Sequence, residues 1–390
     1  MTQVLIDRPG TVRLRVLPPL ALYVHIPWCV RKCPYCDFNS HEGAGELPER
    51  RYVEKLIADL EALLPSIWGR RIVSVFIGGG TPSLFAPESI DALLSAVRAR
   101  LTLEPDAEIT LEANPGTVEA ARFRGFRAAG VNRISLGVQS FDERMLVAIG
   151  RIHGGEDARR AVDAALASFE NVNIDLMYGL PGQSVDMARA DLRAAIAADV
   201  PHISAYQLTI EPNTVFFSKR PQLPEHDACA DMQLAIEQEL AAAGLEHYET
   251  SAFARAGRHC RHNMNYWEFG DYLGIGAGAH GKISFPDRIT RHERIKQPQE
   301  YLARENTLAG ERTIAAAELP FEFALNAFRL VHGFAIRLFG ERTGLPMQVI
   351  QSRLEGAQAK GLIERDWQCV RPTKRGQRFL NELIELFLPG

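Results

Sequence analysis

The chain has 390 residues, 46% hydrophobic and 24% charged, enough to bury a large core in two or three domains or in one barrel with an appendage. Its formal net charge of -4 gives no global electrostatic reason for a nucleic-acid or anionic-membrane partner. The six cysteines, three of them packed between Cys29 and Cys36, do not make a disulfide framework and point instead to metal.

The opening segment MTQVLIDRPGTVRLRVLPPL carries Asp7 and several arginines without a sustained apolar stretch, so it does not read as a signal peptide. No run approaches the roughly 18–20 apolar residues needed to cross a bilayer. The expectation is a cytosolic protein whose membrane contact is peripheral.

After an N-terminal extension, 1–19, the first strand is predicted at 20–26 (LALYVHI). It runs into Cys29, Cys33 and Cys36, a C-x3-C-x2-C loop. Three thiolates on one tight loop can each hold one iron of a cubane and leave the fourth iron open to an exogenous chelator. The alternative is a zinc site completed by His25 or His41. A helix at 49–65 leads to a strand at 72–77, which ends in Gly78-Gly79-Gly80-Thr81-Pro82, where absent Cβ atoms let a ligand approach the backbone. Helices at 86–100, 117–129, 155–169, 184–198 and 226–243 alternate with strands at 108–113, 133–139, 172–178 and 202–208.

Six strand–helix pairs before residue 245 predict a parallel sheet. An open doubly wound sheet fits the same pattern, but the unusual residues collect at the C-terminal ends of successive strands, which favours barrel-like closure. The predicted fold is therefore α/β, a partial (β/α)6 TIM-like barrel over 20–245 with a lateral opening. Residues 246–310 are rich in His, aromatic and Gly residues and read as a site more than a scaffold. From 311 to 390 the order of helices and a short hairpin is that of a winged helix. A helical cap on the barrel fits equally well, and the few arginines there are a weak DNA signal, so no nucleic-acid partner is expected. Within 246–310, His262, Tyr266 and Trp267 offer an imidazole for iron and aromatic faces for a macrocycle, with His259, Cys260 and His280 as competing ligands; on chemistry alone, a lone histidine beside Tyr and Trp is more often a hydrogen-bonded core or surface residue.

The runs YVHIPWCVRKCPYCDFNSH, FIGGGTPSLF, EANPGTVE, VNRISLGVQSF, YQLTIEPNT, HNMNYW and GIGAGAHGK resemble the radical S-adenosylmethionine (SAM) superfamily. They are similar to its oxygen-independent coproporphyrinogen III oxidase branch, and most of all to the shorter haem chaperones within it. The resemblance extends from Tyr23 to the C-terminal helix. It implies a [4Fe–4S] cluster on Cys29, Cys33 and Cys36, with SAM on the open iron as the source of a 5′-deoxyadenosyl radical. It also implies SAM contacts from Tyr23, Tyr35, Gly79, Gly80, Thr81, Glu112, Gln139, Arg151 and Asp175, and haem at the HNxxYW run, His262 to Trp267.

Two departures from the oxidase bear on function. Phe38 stands where the oxidase has a further cysteine, and only about twenty residues precede the first strand. The resemblance thus implies a haem carrier that delivers to respiratory haem proteins at the membrane and uses its cluster for regulation or dimer assembly. The rivals are a coproporphyrinogen III dehydrogenase and a winged-helix DNA-binding regulator.

Overall fold

The computed structural model describes residues 11–43, 45–117 and 120–389. The first ten residues, half of the segment read against a signal peptide, lie outside the described residues, as do Val118 and Glu119 of the EANPGTVE run.

The predicted strands form as β1 (Leu20–Ile26), β2 (Arg71–Gly79), β3 (Thr102–Ala113), β4 (Arg133–Gln139), β5 (Val172–Tyr178) and β6 (His202–Gln207). They pair side by side and in parallel. Helices α1 (Glu49–Leu63), α2 (Pro87–Arg100), α3 (Ala120–Ala129), α4 (Gly155–Leu166), α5 (Val185–Ala197) and α6 (His226–Ala242) follow them in turn. Alternation along each strand explains the layering. In β5, Val172, Ile174 and Leu176 join the apolar cluster that includes Ala158, Val162, Ala188 and Leu192 of the helices. Asn173 and Asp175, one residue out of phase, bond to polar side chains of the neighbouring strands instead. The sheet therefore has an apolar outer face under helices and a polar inner face.

The segment read as a site also extends the scaffold. Past β7 (Glu246–Glu249), β8 (Ala252–Ala254) and helix α7 (Arg261–Trp267), strand β9 (Asp271–Ile275) pairs in parallel with β1 on the side away from β2. The antiparallel strands β10 (His280–Phe285), β11 (Arg288–Arg294) and β12 (Leu308–Thr313) continue outward from β9. The order is β12-β11-β10-β9-β1-β2-β3-β4-β5-β6-β8-β7, a twelve-stranded sheet whose edge strands β12 and β7 do not pair with each other among the described residues. This is the incomplete barrel, open at one side.

The C-terminal region follows the winged-helix order, with helices Leu319–Ala327, Ile336–Thr343 and Gln351–Ala359 and a small sheet of 334–335, 369–372 and 363–365. Its core is aromatic: Phe323 meets Phe269, Phe334 and Phe339 at ring-centroid distances of 5.8, 5.0 and 5.3 Å. Phe269 and Ile289 from the barrel side belong to the same cluster, so this region also packs on the barrel. Among the described residues no helix is long and apolar enough to cross a membrane.

Candidate functional site

The cysteine loop is pinned at its base. Trp28 is buried with its ring 4.7 Å from Tyr52 and 6.0 Å from Phe85, and Trp28–Cys29 pairs in parallel with His41–Glu42. His41 N donates to Pro27 O (2.7 Å) and Gly43 N to Cys29 O (2.9 Å), closing the loop on itself. All three thiols are free and half-buried. Arg151 Nη1 lies 3.6 Å from Cys33 Sγ, and Cys36 Sγ lies 3.6 Å from Ser40 Oγ. Burial pushes the Cys29 thiol up, against a hydrogen bond with Thr81 that lowers it.

The chemistry of this donor set suits a cubane better than a single ion. Among the described residues no three His, Cys, Asp or Glu side chains converge as one metal ion requires, whereas a cubane takes each thiolate on a different iron. The fourth ligands considered for zinc are also engaged. His25 bonds through Nδ1 to Tyr23 OH and through Nε2 to Asn39 O, both at 2.9 Å, and His41 Nε2 lies 3.2 Å from Asn39 Oδ1.

The rim residues stand at the C-terminal ends of adjacent strands. At the end of β2, Gly79 has φ +119, a conformation glycine adopts without strain. Its N–H donates to Glu112 Oε2 (2.9 Å), while Gly80 N donates to Ile26 O (2.8 Å) and Thr81 N to Trp28 O (2.7 Å). These three donors are taken within the protein, so the segment offers a ligand acceptors, which suits an ammonium group.

Asn114 Nδ2 donates to Thr81 Oγ1 (2.8 Å), and Arg151 Nη2 donates to Asn114 Oδ1 (2.6 Å) and Gly137 O (2.7 Å). Arg151 Nε is buried with no hydrogen-bond partner among the described residues, an orphan that an anionic ligand would satisfy. Gln139 joins this group: a Cβ on Gly137 would sit 2.8 Å from Asn114 Oδ1 and 3.0 Å from Gln139 Nε2. Gln139 itself has φ +68, a costly conformation for a side-chain-bearing residue and of the kind that clusters at ligand sites. Loss of water, then the charge of Asp175, pushes the Glu112 carboxyl up to about 8. Burial raises Asp175 as well, against hydrogen bonds that include one from Asn173.

The HNMNYW run does not present its three candidates together. His262 is 1% exposed, stacked on Phe76 at 5.0 Å, with Nδ1 3.0 Å from Ser74 Oγ and Nε2 3.3 Å from Tyr266 OH. Burial, then the Arg133 charge, lowers its pKa to about 3. Trp267 faces the C-terminal region, its ring 4.2 Å below the Arg329 guanidinium. Tyr266 alone of the three lines a cavity of about 720 Å³. Its walls come from both sides of the unclosed barrel: Tyr23 and His25 of β1, Phe38 and Asn39 of the cysteine loop, Glu211–Asn213 after β6, and Tyr272 and His280 of β9 and β10. That volume falls in the upper part of the ~300–1,000 Å³ range of organic-ligand pockets.

A network inside the barrel escaped the sequence reading. His202 Nδ1 lies 2.6 Å from Asn173 Oδ1 and its Nε2 2.8 Å from Tyr248 OH. Asn173 Nδ2 donates to Asp175 Oδ1 and Ser135 Oγ, both at 2.8 Å, so this buried chain orients Asp175. The available signal was the placing of Asn173 and Asp175 between the apolar residues of VNIDLMY. Buried polar residues on alternate positions mark a lumen, not a strand edge.

A half-open parallel barrel with a three-cysteine loop after its first strand and a polar rim above it defines a radical SAM protein. The sequence profile of the Radical SAM superfamily matches residues 23–195, and that of the HemN C-terminal domain residues 314–379. "Heme chaperone HemW" of Escherichia coli is 52% identical over 376 residues, which cover 95% of this chain and 99% of that one. The protein of the same name from Haemophilus influenzae is 49% identical over 95% of this chain and 98% of its own. The mouse "Radical S-adenosyl methionine domain-containing protein 1, mitochondrial" is 36% identical over 95% of this chain and 87% of its own. The chain belongs to the HemW family. In fold it matches the solved coproporphyrinogen III oxidase (HemN) of Escherichia coli, with a TM-score of 0.80, 22% identity, and coverage of 95% of this chain and 90% of that one.

Proposed function

We propose that this protein is a haem carrier: it holds a [4Fe–4S] cluster on Cys29, Cys33 and Cys36, binds SAM on the rim, takes haem in the adjoining cavity and passes it to respiratory haem proteins at the membrane. When bound, the cluster and SAM supply a one-electron centre and a source of radical chemistry. Gly79, Gly80 and Thr81 offer acceptors to the methionine ammonium, and Arg151 pairs with the carboxylate. Glu112 and Asp175 suit ribose hydroxyls, Gln139 contributes a side-chain amide, and Tyr23 and Tyr35 flank the cluster. On this reading the loaded cluster sets the balance between monomer and dimer, in the cytosol.

The observation that carries the reading is the cavity of about 720 Å³ beside the cysteine loop, lined by Tyr23, Tyr266 and Tyr272, with Phe38 at its wall. Phe38 is 65% exposed. An exposed aromatic ring there offers a planar apolar ligand a face and no reactive group. The names of the relatives support the same reading. The test is anaerobic: the reconstituted protein is expected to bind hemin one to one and to leave coproporphyrinogen III unchanged. Robust formation of protoporphyrinogen would overturn the carrier reading in favour of the dehydrogenase.

A further inference from the structure

Resting on the haem-carrier reading, we propose that His280 is the side chain that ligates haem iron, with Lys296 and Lys32 placed to pair with the propionates. A ligand for haem iron needs a nitrogen or sulfur in or near the cavity that is still able to bind. His262 is buried, with both ring nitrogens engaged and Phe76 stacked on it. His25 spends both nitrogens on Tyr23 and Asn39. Cys260 is 1% exposed, beside Glu108, and burial pushes its thiol up to about 12, so it is no thiolate. His259 is stacked on Tyr248 at 4.1 Å, lies 3.3 Å from Glu246, and does not line the cavity.

His280 differs from all four. It is exposed, it lines the cavity, and its ring makes no hydrogen bond to another described residue. Partial loss of water lowers its pKa, which leaves the imidazole neutral near pH 7 with a lone pair for iron. Its backbone is fixed where β10 begins: His280 pairs with Glu293, and Arg294 N donates to Ala279 O at 2.9 Å. Tyr23, Tyr266 and Tyr272 supply aromatic surface to the same space, Lys32 and Lys296 supply its cations, and Asp37 and Glu211 are the carboxylates on its lining. A charge-assisted pair between an ammonium and a propionate carboxylate is the expected anchor for the polar edge of a haem.

One side chain ties this wall to the cysteine loop. Asn39 Nδ2 donates to Ala277 O (2.9 Å) and to Lys296 O (2.8 Å), while Asn39 O accepts from His25. These bonds join the loop that follows Cys36 directly to the segment carrying His280 and Lys296, the contact through which a bound cluster would act on the cargo.

The experiment is a hemin titration of the full-length reconstituted protein, followed by absorption and EPR spectroscopy, on wild type, His280→Ala and His262→Ala. The His280→Ala variant is expected to lose the histidine-ligated spectrum and to bind hemin at least about tenfold more weakly, with added imidazole restoring the spectrum. The His262→Ala variant is expected to keep the wild-type spectrum. An unchanged spectrum and affinity in His280→Ala, with wild type binding hemin, would overturn the ligand assignment and leave the carrier reading standing. Failure of wild type to bind hemin would overturn the carrier reading itself.

Discussion

Glu112 loses most of its water where the rim narrows and faces a second carboxyl, Asp175, so its pKa rises to about 8. A carboxyl whose folded pKa lies above its unfolded value near 4.5 holds a proton in the folded state that the unfolded chain has released. Its contribution to stability is complete below the unfolded pKa and is lost as pH rises through about 8. The ligand-free Glu112→Gln variant is therefore expected to gain on wild type between pH 5 and 8, with a slope of at most about 1.4 kcal/mol per pH unit. Urea denaturation across that range checks it, and parallel wild-type and variant curves would contradict the assigned protonation. Glu112 and Gln139 could be picked out as candidates because each falls at a strand end, whereas Arg151, past the helix Glu143–Ala148, was a candidate through the resemblance alone. The raised pKa of Glu112 was not legible, because it comes first from burial and then from Asp175, on a strand two positions away in the sheet. The engagement of His262 was likewise invisible, since Ser74 lies 188 residues before it.

At the scale of elements, β1 to β6 were legible as short apolar, β-rich runs between amphipathic segments, whereas β9 was not. Its sequence, DYLGI, is short, contains a glycine and begins with an aspartate, all of which read as loop. The fold recovers the strand by neutralising that aspartate. Asp271 is fully buried, its Oδ1 2.9 Å from Lys282 Nζ and its Oδ2 2.8 Å from Arg70 Nη2, and it accepts from Ser284 N (2.9 Å) and Oγ (2.8 Å). Burial alone would raise its pKa, but Lys282 and Arg70 outweigh burial and hold the carboxyl below its ordinary range. Replacing it by asparagine leaves two cations without their counter-charge. Asp271→Asn is expected to destabilise the protein by about 3–5 kcal/mol at pH 7, with the difference shrinking as pH falls and Asp271 itself is protonated. A loss below 1 kcal/mol in thermal or urea unfolding would show that β9 does not depend on this hub.

At the scale of the whole molecule, the barrel fails to close, and the cavity lies between β1 with its cysteine loop, the loop after β6, and the strands β9 and β10. The lateral opening was legible from the count of six strand–helix units; the wall opposite β6 was not, because residues 246–310 looked like a site alone. They form both site and scaffold: α7 closes the floor through Tyr266, and β10 presents His280. The cysteine loop, the rim and the cavity thus share one end of one sheet. On the proposed carrier reading, that arrangement would place the cofactor next to the cargo.

On the proposed reading, Cys29, Cys33 and Cys36 hold a cubane whose fourth iron takes SAM. EPR of the anaerobically reconstituted and reduced protein, with iron and zinc counted on the same samples, tests it most directly. The expected result is the iron content of one [4Fe–4S] cluster per chain, a signal that changes when SAM is added, and loss of both in Cys33→Ser. A bound zinc ion in place of iron, or a cluster signal indifferent to SAM, would contradict it.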